Sequence, residues 1–450
     1  MAKPKIHLTR DPIPQSLARM AVPMALGLVA TMSFNFVDTW FVSGLGGDAL
    51  AALSFTFPVV MLCLSLAIGL GAGSSSVVAR AAGGDDPNQV KVLVTDGISL
   101  TLLLTGLLSL LGLLTLNPTF RLLGASETVL PLIREYMVLW YCSTIFMAVP
   151  MVALASLRAL GDTQFQARVM IGMAVANALL DPILIFGWWI FPSLGIEGAA
   201  LATLLVRIAS AVLVFQHLYA RQLLVNPFDL ARARQSWRKI LHIGLPAMST
   251  NMIIPAAGAV VIATIATHGQ DAVAGFGVAA RVESMALIAF YALSAVIGPF
   301  CGQNLGAGYF DRLQQAVWVC ARFCLVAGLA VALVLGFSAE WIGRAFGENE
   351  DVVAVVKLYL YLVPISYFAY GVVMVVNAAF NGLGKPMPGV LLSSARVIVI
   401  FFPLMFLGNY WWGLTGILSA MSIANVCVGV WALIWMLSAI QKMRQSNFLS

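Results

Sequence analysis

The feature that most limits this chain is an apolar run of about twenty residues that recurs from one end of its 450 residues to the other. Each run is long enough to cross ~30 Å of hydrocarbon, where every backbone group must be paired inside the segment or in a closed barrel. Barrel strands alternate apolar and polar residues over ~10 positions. Residues 101–116 and 325–337 show no alternation and are too long, so the runs are helices. Composition agrees, because only 10% of residues are charged and 61% are hydrophobic, whereas a soluble domain carries roughly 25% charged residues. The expected fold is an all-α integral membrane protein with 12 transmembrane helices.

The runs fall near 17–43, 50–79, 93–116, 130–156, 164–189 and 194–220, then near 238–267, 273–301, 313–337, 352–380, 388–408 and 412–440. Residues 221–239 (RQLLVNPFDLARARQSWRK) form the one long basic connector, which divides the chain into an N-lobe (1–220), a linker (221–239) and a C-lobe (240–450). Basic residues in short loops mark the cytoplasmic side of a membrane protein. Lys3, Lys5, Arg10, Lys91, Arg158, Arg221 and Lys385 fall on one side, while Asp48, Glu127, Glu197 and Asp271 dominate the other. Both termini and the linker are therefore expected in the cytoplasm, with the protein in a bacterial inner membrane. No cleavable signal peptide is expected, because the polar start leads into a full-length span.

The net charge of +6 is spread over these loops rather than along one stripe, so nucleic acid is not an expected partner. Six scattered cysteines lack metal-ligand spacing, and the four histidines (His7, His217, His242, His268) sit at segment ends or in the tail. Neither a metal set nor a nucleophile–base pair is visible within the spans. The sequence thus points away from an enzyme, and no cofactor is expected.

Sliding the chain against itself until Pro23 meets Pro246 exposes a repeat. At that one offset Asp48-Ala49 meets Asp271-Ala272, Gly83 meets Gly306, and Leu160-Gly161 meets Leu383-Gly384. Six helices per half is an even number, so both halves insert the same way and a pseudo-twofold axis is expected along the membrane normal. Two lobes of this kind are the usual basis of alternating access.

Ionisable residues inside spans are costly and by default suggest function. Asp38 lies in helix 1 (SFNFVDTWFV), while Asn177 and Asp181 share one face of helix 5 (MAVANALLDPILIFG). Thr203 lies in helix 6 (GAALATLL). Counting at ~1.5 Å per residue from the expected external ends puts all four at similar depth in the first lobe. This oxygen-rich set suits Na⁺. It also suits protons, because two carboxylates close together in low dielectric cannot both stay ionised cheaply. Pro182 frees a backbone carbonyl one turn earlier, a further potential ligand. A polar cluster that only glues helices together is the structural alternative. At the repeat offset Asp38, Asn177 and Asp181 fall on Val261, Ile400 and Leu404, so cation chemistry is expected in one lobe only.

Three further residues stay open. Glu283 in helix 8 either meets a cationic substrate or is structural, and Arg281 stands two residues before it, on another face. Arg207, one turn below Thr203, either pairs with a first-lobe carboxylate or extends to the cytoplasmic side. Nine methionines in helices 1, 4, 5, 7 and 8 would suit a polyspecific cavity, though Met is also ordinary lipid-facing filler.

A Pro fifteen residues before an Asp in helix 1, N-A-x-x-D-P in helix 5 and G-A-A-x-A-T in helix 6 resemble the multidrug and toxic compound extrusion (MATE) family. The loops GQNLGAG (302–308), RALGDTQ (158–164) and NGLGKPM (381–387) strengthen the likeness, which spans nearly the whole chain. Carboxylates confined to the first lobe resemble the family's DNA-damage-inducible branch. The resemblance implies a functional monomer that drives cationic, often aromatic, drugs outward against entering H⁺ or Na⁺, in contact with membrane lipid. By position, Asp38, Asn177, Asp181 and Thr203 match that branch's first-lobe cation site. Pro23 matches the helix 1 proline thought to bend with protonation. The sequence departs from the family's other bacterial branch in lacking acidic residues within helices 7 and 10. A lipid-linked oligosaccharide flippase of the same two-lobe plan is the alternative; such proteins usually line the cleft with several basic residues and add two helices.

Overall fold

In the computed structural model the chain is almost entirely helical, and residues 7–43, 47–84, 86–187, 192–225, 229–346 and 349–448 are described. Lys3, Lys5 and residues 226–228 of the basic connector lie outside them. The first half contains α1 (Ile13–Ser43), α2 (Gly47–Gly83), α3 (Pro87–Leu114), the short α4 (Leu116–Leu122), α5 (Leu130–Ala159), α6 (Thr163–Phe186) and α7 (Gly195–Ala220). The second half contains α8 (Leu230–Ala266), α9 (Gln270–Ala286), α10 (Ile288–Gly306), α11 (Phe310–Ala345), α12 (Glu350–Leu362), α13 (Tyr367–Gly382), α14 (Met387–Ser394) and α15 (Phe402–Phe448). Apart from α4, every first-half helix is one of the expected spans.

In the second half three expected spans are not single α-helices. Span 8 divides into α9 and α10 at Leu287, yet the Leu287 N–H donates to Glu283 O and the Tyr291 N–H to Leu287 O, both at 3.0 Å. The ladder runs on through an irregular turn. Span 10 breaks at Pro364, which has no N–H to give, and a 3₁₀ turn (Pro364–Ser366) joins α12 to α13. Spans 11 and 12 run from α14 through a π-helical stretch (Ala395–Phe401) into α15, which leaves helical geometry at Gly413 with φ 56° and ψ −135°. That positive φ favours glycine and reverses the chain between two spans. Eleven apolar helical segments are long enough to cross a membrane among the described residues, and the last, Met387–Ser446, holds two of the twelve.

Two helix starts of the first half are capped by acidic side chains. Asp86 accepts from the Asn88 and Gln89 amides at the start of α3. Asp162 accepts from the Phe165 amide at the start of α6 and pairs with Arg221 at 2.7 Å and His217 at 3.0 Å. These contacts satisfy the free N–H groups that open a helix.

Two compact units result, one of residues 22–248 and one of residues 1–21 with 249–450. The boundary therefore does not fall in the 221–239 connector, whose second half is helix. Arg232 at the start of α8 pairs with the fully buried Asp96 of α3 at 3.5 Å, and the Trp237 indole N–H donates to Asp96 O at 2.9 Å. These contacts fasten the start of α8 to the first unit. In the other unit, Arg312 and Asn304 both donate to Leu8 O, at 3.1 and 3.2 Å, fastening the segment before α1. Each half's first helix thus begins in one unit and ends in the other, changing over within two residues of Pro23 in α1 and of Pro246 in α8.

Candidate functional site

Contacts along α1 and α6 set the geometry of the first-half site. A Cβ on Gly27 of α1 would stand 3.0 Å from Met170 Sδ and 3.4 Å from Ala167 Cα of α6, so the absent side chain lets the helices meet closely. Further along, the rings of Phe41 and Phe186 meet edge-on at 6.1 Å. Two successive contacts in the same order mean that α1 and α6 run parallel. Asp38 is eleven residues beyond Gly27, and Asp181 eleven beyond Met170. Eleven residues is close to three full turns, which returns each carboxylate to its contacting face at the same height. Asp38 and Asp181 accordingly stand close enough for their charges to act on one another.

Asp181 is fully buried, and neither of its carboxylate oxygens has a hydrogen-bond partner. Asn177, one turn before it and 5% exposed, also leaves its side-chain oxygen unpaired. Three orphaned oxygens on one buried face are expensive unless a proton or a cation satisfies them. Their chemistry fits either ion. Pro182 follows directly inside α6.

From α7 come Thr203 and Arg207. A Cβ on Gly198 of α7 would collide with Leu184 O of α6, which fixes the approach of the two helices. Counting inward from that contact at ~1.5 Å per residue puts Thr203 within about 3 Å of the depth of Asp181. Thr203 is half-buried and makes no hydrogen bond to either carboxylate. Arg207 pairs with neither: it donates to Ser143 Oγ, and its guanidinium lies over the Trp140 ring at 5.5 Å. Tyr136, on the same face of α5 as Trp140 and Ser143, lies within electrostatic reach of Asp38, Asp181 and Arg207.

The equivalent positions of the second unit look different. Val261, at the Asp38 position, is 4% exposed and belongs to an apolar cluster that also contains Ile400 and Leu404. Beside it lies a cavity of about 360 Å³ walled by Phe276, Tyr291, Tyr370 and Phe401 and carrying Glu283 and Arg396. Glu283 Oε2 accepts from the Tyr359 hydroxyl. Arg396 donates to Asn425 Oδ1 at 2.9 Å, Asn425 in turn donates to Ser366 Oγ at 3.0 Å, and the Tyr370 ring lies 4.5 Å from the guanidinium. Arg281 is exposed and does not line this cavity.

Asp38, Asn177, Asp181 and Thr203 are thus brought to one level of one unit, and Pro23 sits in α1 below them. Arg207 joins that unit's polar layer through Ser143, and Glu283 faces a cavity in the other unit. Sequence reasoning missed Tyr136, Ser143, Tyr359, Ser366 and Asn425. The first four carry a signal in the repeat: at the offset that joins Pro23 to Pro246, Tyr136 meets Tyr359 and Ser143 meets Ser366.

The MatE family pattern matches residues 23–183 and 246–407, one copy in each half. The FAD transporter of Shewanella oneidensis is 38% identical over 433 residues, covering 95% of both chains. The multidrug export protein MepA of Staphylococcus aureus is 22% identical over 93% of this chain and 92% of its own. Among solved structures, the Vibrio cholerae MATE transporter VcmN in its bent form superposes with a TM-score of 0.90 at 30% identity, covering 96% of this chain and 97% of that one. The chain belongs to the MATE family of multi-pass membrane transporters.

Proposed function

We propose that this protein is a secondary active exporter of planar aromatic compounds, driven by H⁺ or Na⁺ entering through Asp38 and Asp181. The observation that carries the reading is the pair of unpaired Asp181 oxygens, buried at the level of Asp38. A group that alternately holds and releases a cation needs such a place, where the ionised state is costly without the ion. Asn177 and Thr203 serve as neutral ligands when the ion is Na⁺, and matter less for a proton. Ion entry neutralises the carboxylates, α1 bends at Pro23, and cargo leaves outward; the ion is then released inward and cargo reloads. The protein works as a monomer in a bacterial inner membrane with both termini in the cytoplasm, in keeping with its basic short loops.

Aromatic cationic drugs and flavin nucleotides share a flat aromatic ring system. Flavin nucleotide is favoured because the relative named as a FAD transporter aligns at 38% identity, whereas the relatives named for multidrug export align at 21–26%.

Efflux from energised vesicles, with a pH gradient and a Na⁺ gradient imposed separately, tests the coupling. Efflux that follows one gradient and is lost in Asp38→Asn supports the proposal. Response to neither gradient removes coupling and brings the lipid-linked oligosaccharide flippase forward.

A further inference from the structure

The cavity beside Val261 has no role in ion coupling as described, yet it is built as a binding site. Its volume of about 360 Å³ is at the small end of ligand pockets, enough for a tricyclic ring system but not for a dinucleotide. Aromatic faces wall it, and its two charged residues are of opposite sign. Glu283 and Arg396 do not pair with each other; each is held by a neutral neighbour instead. The Tyr359 hydroxyl occupies Glu283 Oε2, which leaves the second carboxylate oxygen as an unused acceptor. Asn425, itself anchored by Ser366, holds one Arg396 nitrogen, while the buried Nε–H has no partner. Arg396 also stands in the π-helical stretch Ala395–Phe401, an irregularity concentrated at functional sites.

A simple organic cation gains little here, because Arg396 offsets the attraction of Glu283. A simple anion meets the reverse problem. The ligand that satisfies both is a flat, neutral heteroaromatic whose edge carries an acceptor and a donor side by side. The imide edge of an isoalloxazine, C=O beside N–H beside C=O, has that pattern.

We infer that the second-unit cavity is the subsite that reads the flavin ring of the cargo, with Arg396, backed by the Tyr370 ring, donating to a ring carbonyl, Glu283 accepting from the imide N–H, and Tyr291 and Phe276 among the aromatic walls that receive the ring. This inference rests on the flavin reading proposed above. The adenylate end of a dinucleotide lies outside the cavity, so the ring alone suffices for recognition.

Equilibrium binding to the full chain in lipid nanodiscs, followed by quenching of flavin fluorescence, tests it without any ion gradient. The probes are FAD, lumiflavin and 3-methyllumiflavin, whose imide N–H is blocked. Lumiflavin is expected to bind, and blocking the N–H to weaken it at least tenfold, because Glu283 is left without its donor. Arg396→Leu and Glu283→Leu should each weaken lumiflavin at least tenfold; the ligand pair on the unaltered protein decides the matter even where a variant fails to fold. If FAD binds but lumiflavin and 3-methyllumiflavin bind equally, or both variants bind lumiflavin as the parent does, the subsite is overturned and flavin export stands. If no flavin binds while cationic dyes are still driven out by an ion gradient, the subsite and the flavin reading both fall and the coupling proposal survives.

Discussion

The same scaffold occurs twice in this chain, and the two copies use their buried polar groups differently. In the first, α1 and α6 put Asp38, Asn177 and Asp181 on facing surfaces; one repeat later, Val261, Ile400 and Leu404 fill the corresponding places with hydrocarbon. Tyr136 and Ser143 persist as Tyr359 and Ser366 but serve different partners. In the first unit they attend the carboxylate pair and Arg207; in the second they lead to Glu283 and, through Asn425, to Arg396. Duplication thus kept the polar supports on the fourth span of each half and changed what they support. On the proposals made above, one copy would hold a small cation and the other a flat organic group.

The largest expected effect comes from removing a first-unit carboxylate. Asp38→Asn and Asp181→Asn should each reduce gradient-driven efflux by at least a hundredfold while leaving equilibrium binding of cargo within threefold of the parent. A reduction in binding as large as that in efflux would show that the carboxylates hold cargo rather than the ion. The converse change, Val261→Asp, puts a charge among Val261, Ile400 and Leu404. A carboxylate at such depth costs about 2.5–3.5 kcal/mol, so a marked fall in thermal stability is expected by scanning fluorimetry. An unchanged melting temperature would mean that the second unit retains an unrecognised polar site.

The tyrosines sharpen the contrast. Tyr136→Phe should alter the dependence of efflux on the driving ion and spare cargo binding. Tyr359→Phe should weaken cargo binding severalfold, because Glu283 loses the hydroxyl that fixes it, and leave the ion dependence alone. Identical phenotypes would erase the distinction between the units. The smallest effect is expected from Ser143→Ala, which frees Arg207 from its hydroxyl partner; one hydrogen bond contributes ~1 kcal/mol, or roughly a fivefold change in initial efflux rate.

Much of this was legible in the sequence for a simple reason: lipid forces long apolar helices, and a charge inside one stands out. The spans, the repeat and the Asp38–Asp181 pair all follow from that contrast. The break in span 8 was harder to see, because Leu287 carries no helix-breaking signal, whereas the turn at Gly413 falls beside the expected gap between spans 11 and 12. The unit boundary was misplaced for a related reason: a basic connector resembles a linker, yet residues 230–239 continue as the first turns of α8 and pack on α3 through Arg232 and Trp237. Tyr136 and Ser143 escaped notice because tyrosine and serine are ordinary in membrane helices; only their recurrence at the repeat distance distinguishes them. Glu283 and Arg396 lie three spans apart in sequence, and only the packed structure places them in one cavity.

The central claim, that the first-unit carboxylates exchange an ion for cargo, is tested most directly by counting ions. Purified protein in proteoliposomes, with a trapped pH dye and a matched Na⁺ indicator, would report ion movement as cargo is exchanged. The account predicts that cargo movement is accompanied by a fixed stoichiometry of H⁺ or Na⁺ moving the other way. It also predicts that this counterflow disappears in the Asp38→Asn, Asp181→Asn double variant. Cargo-coupled ion flow of undiminished stoichiometry in the double variant would contradict it.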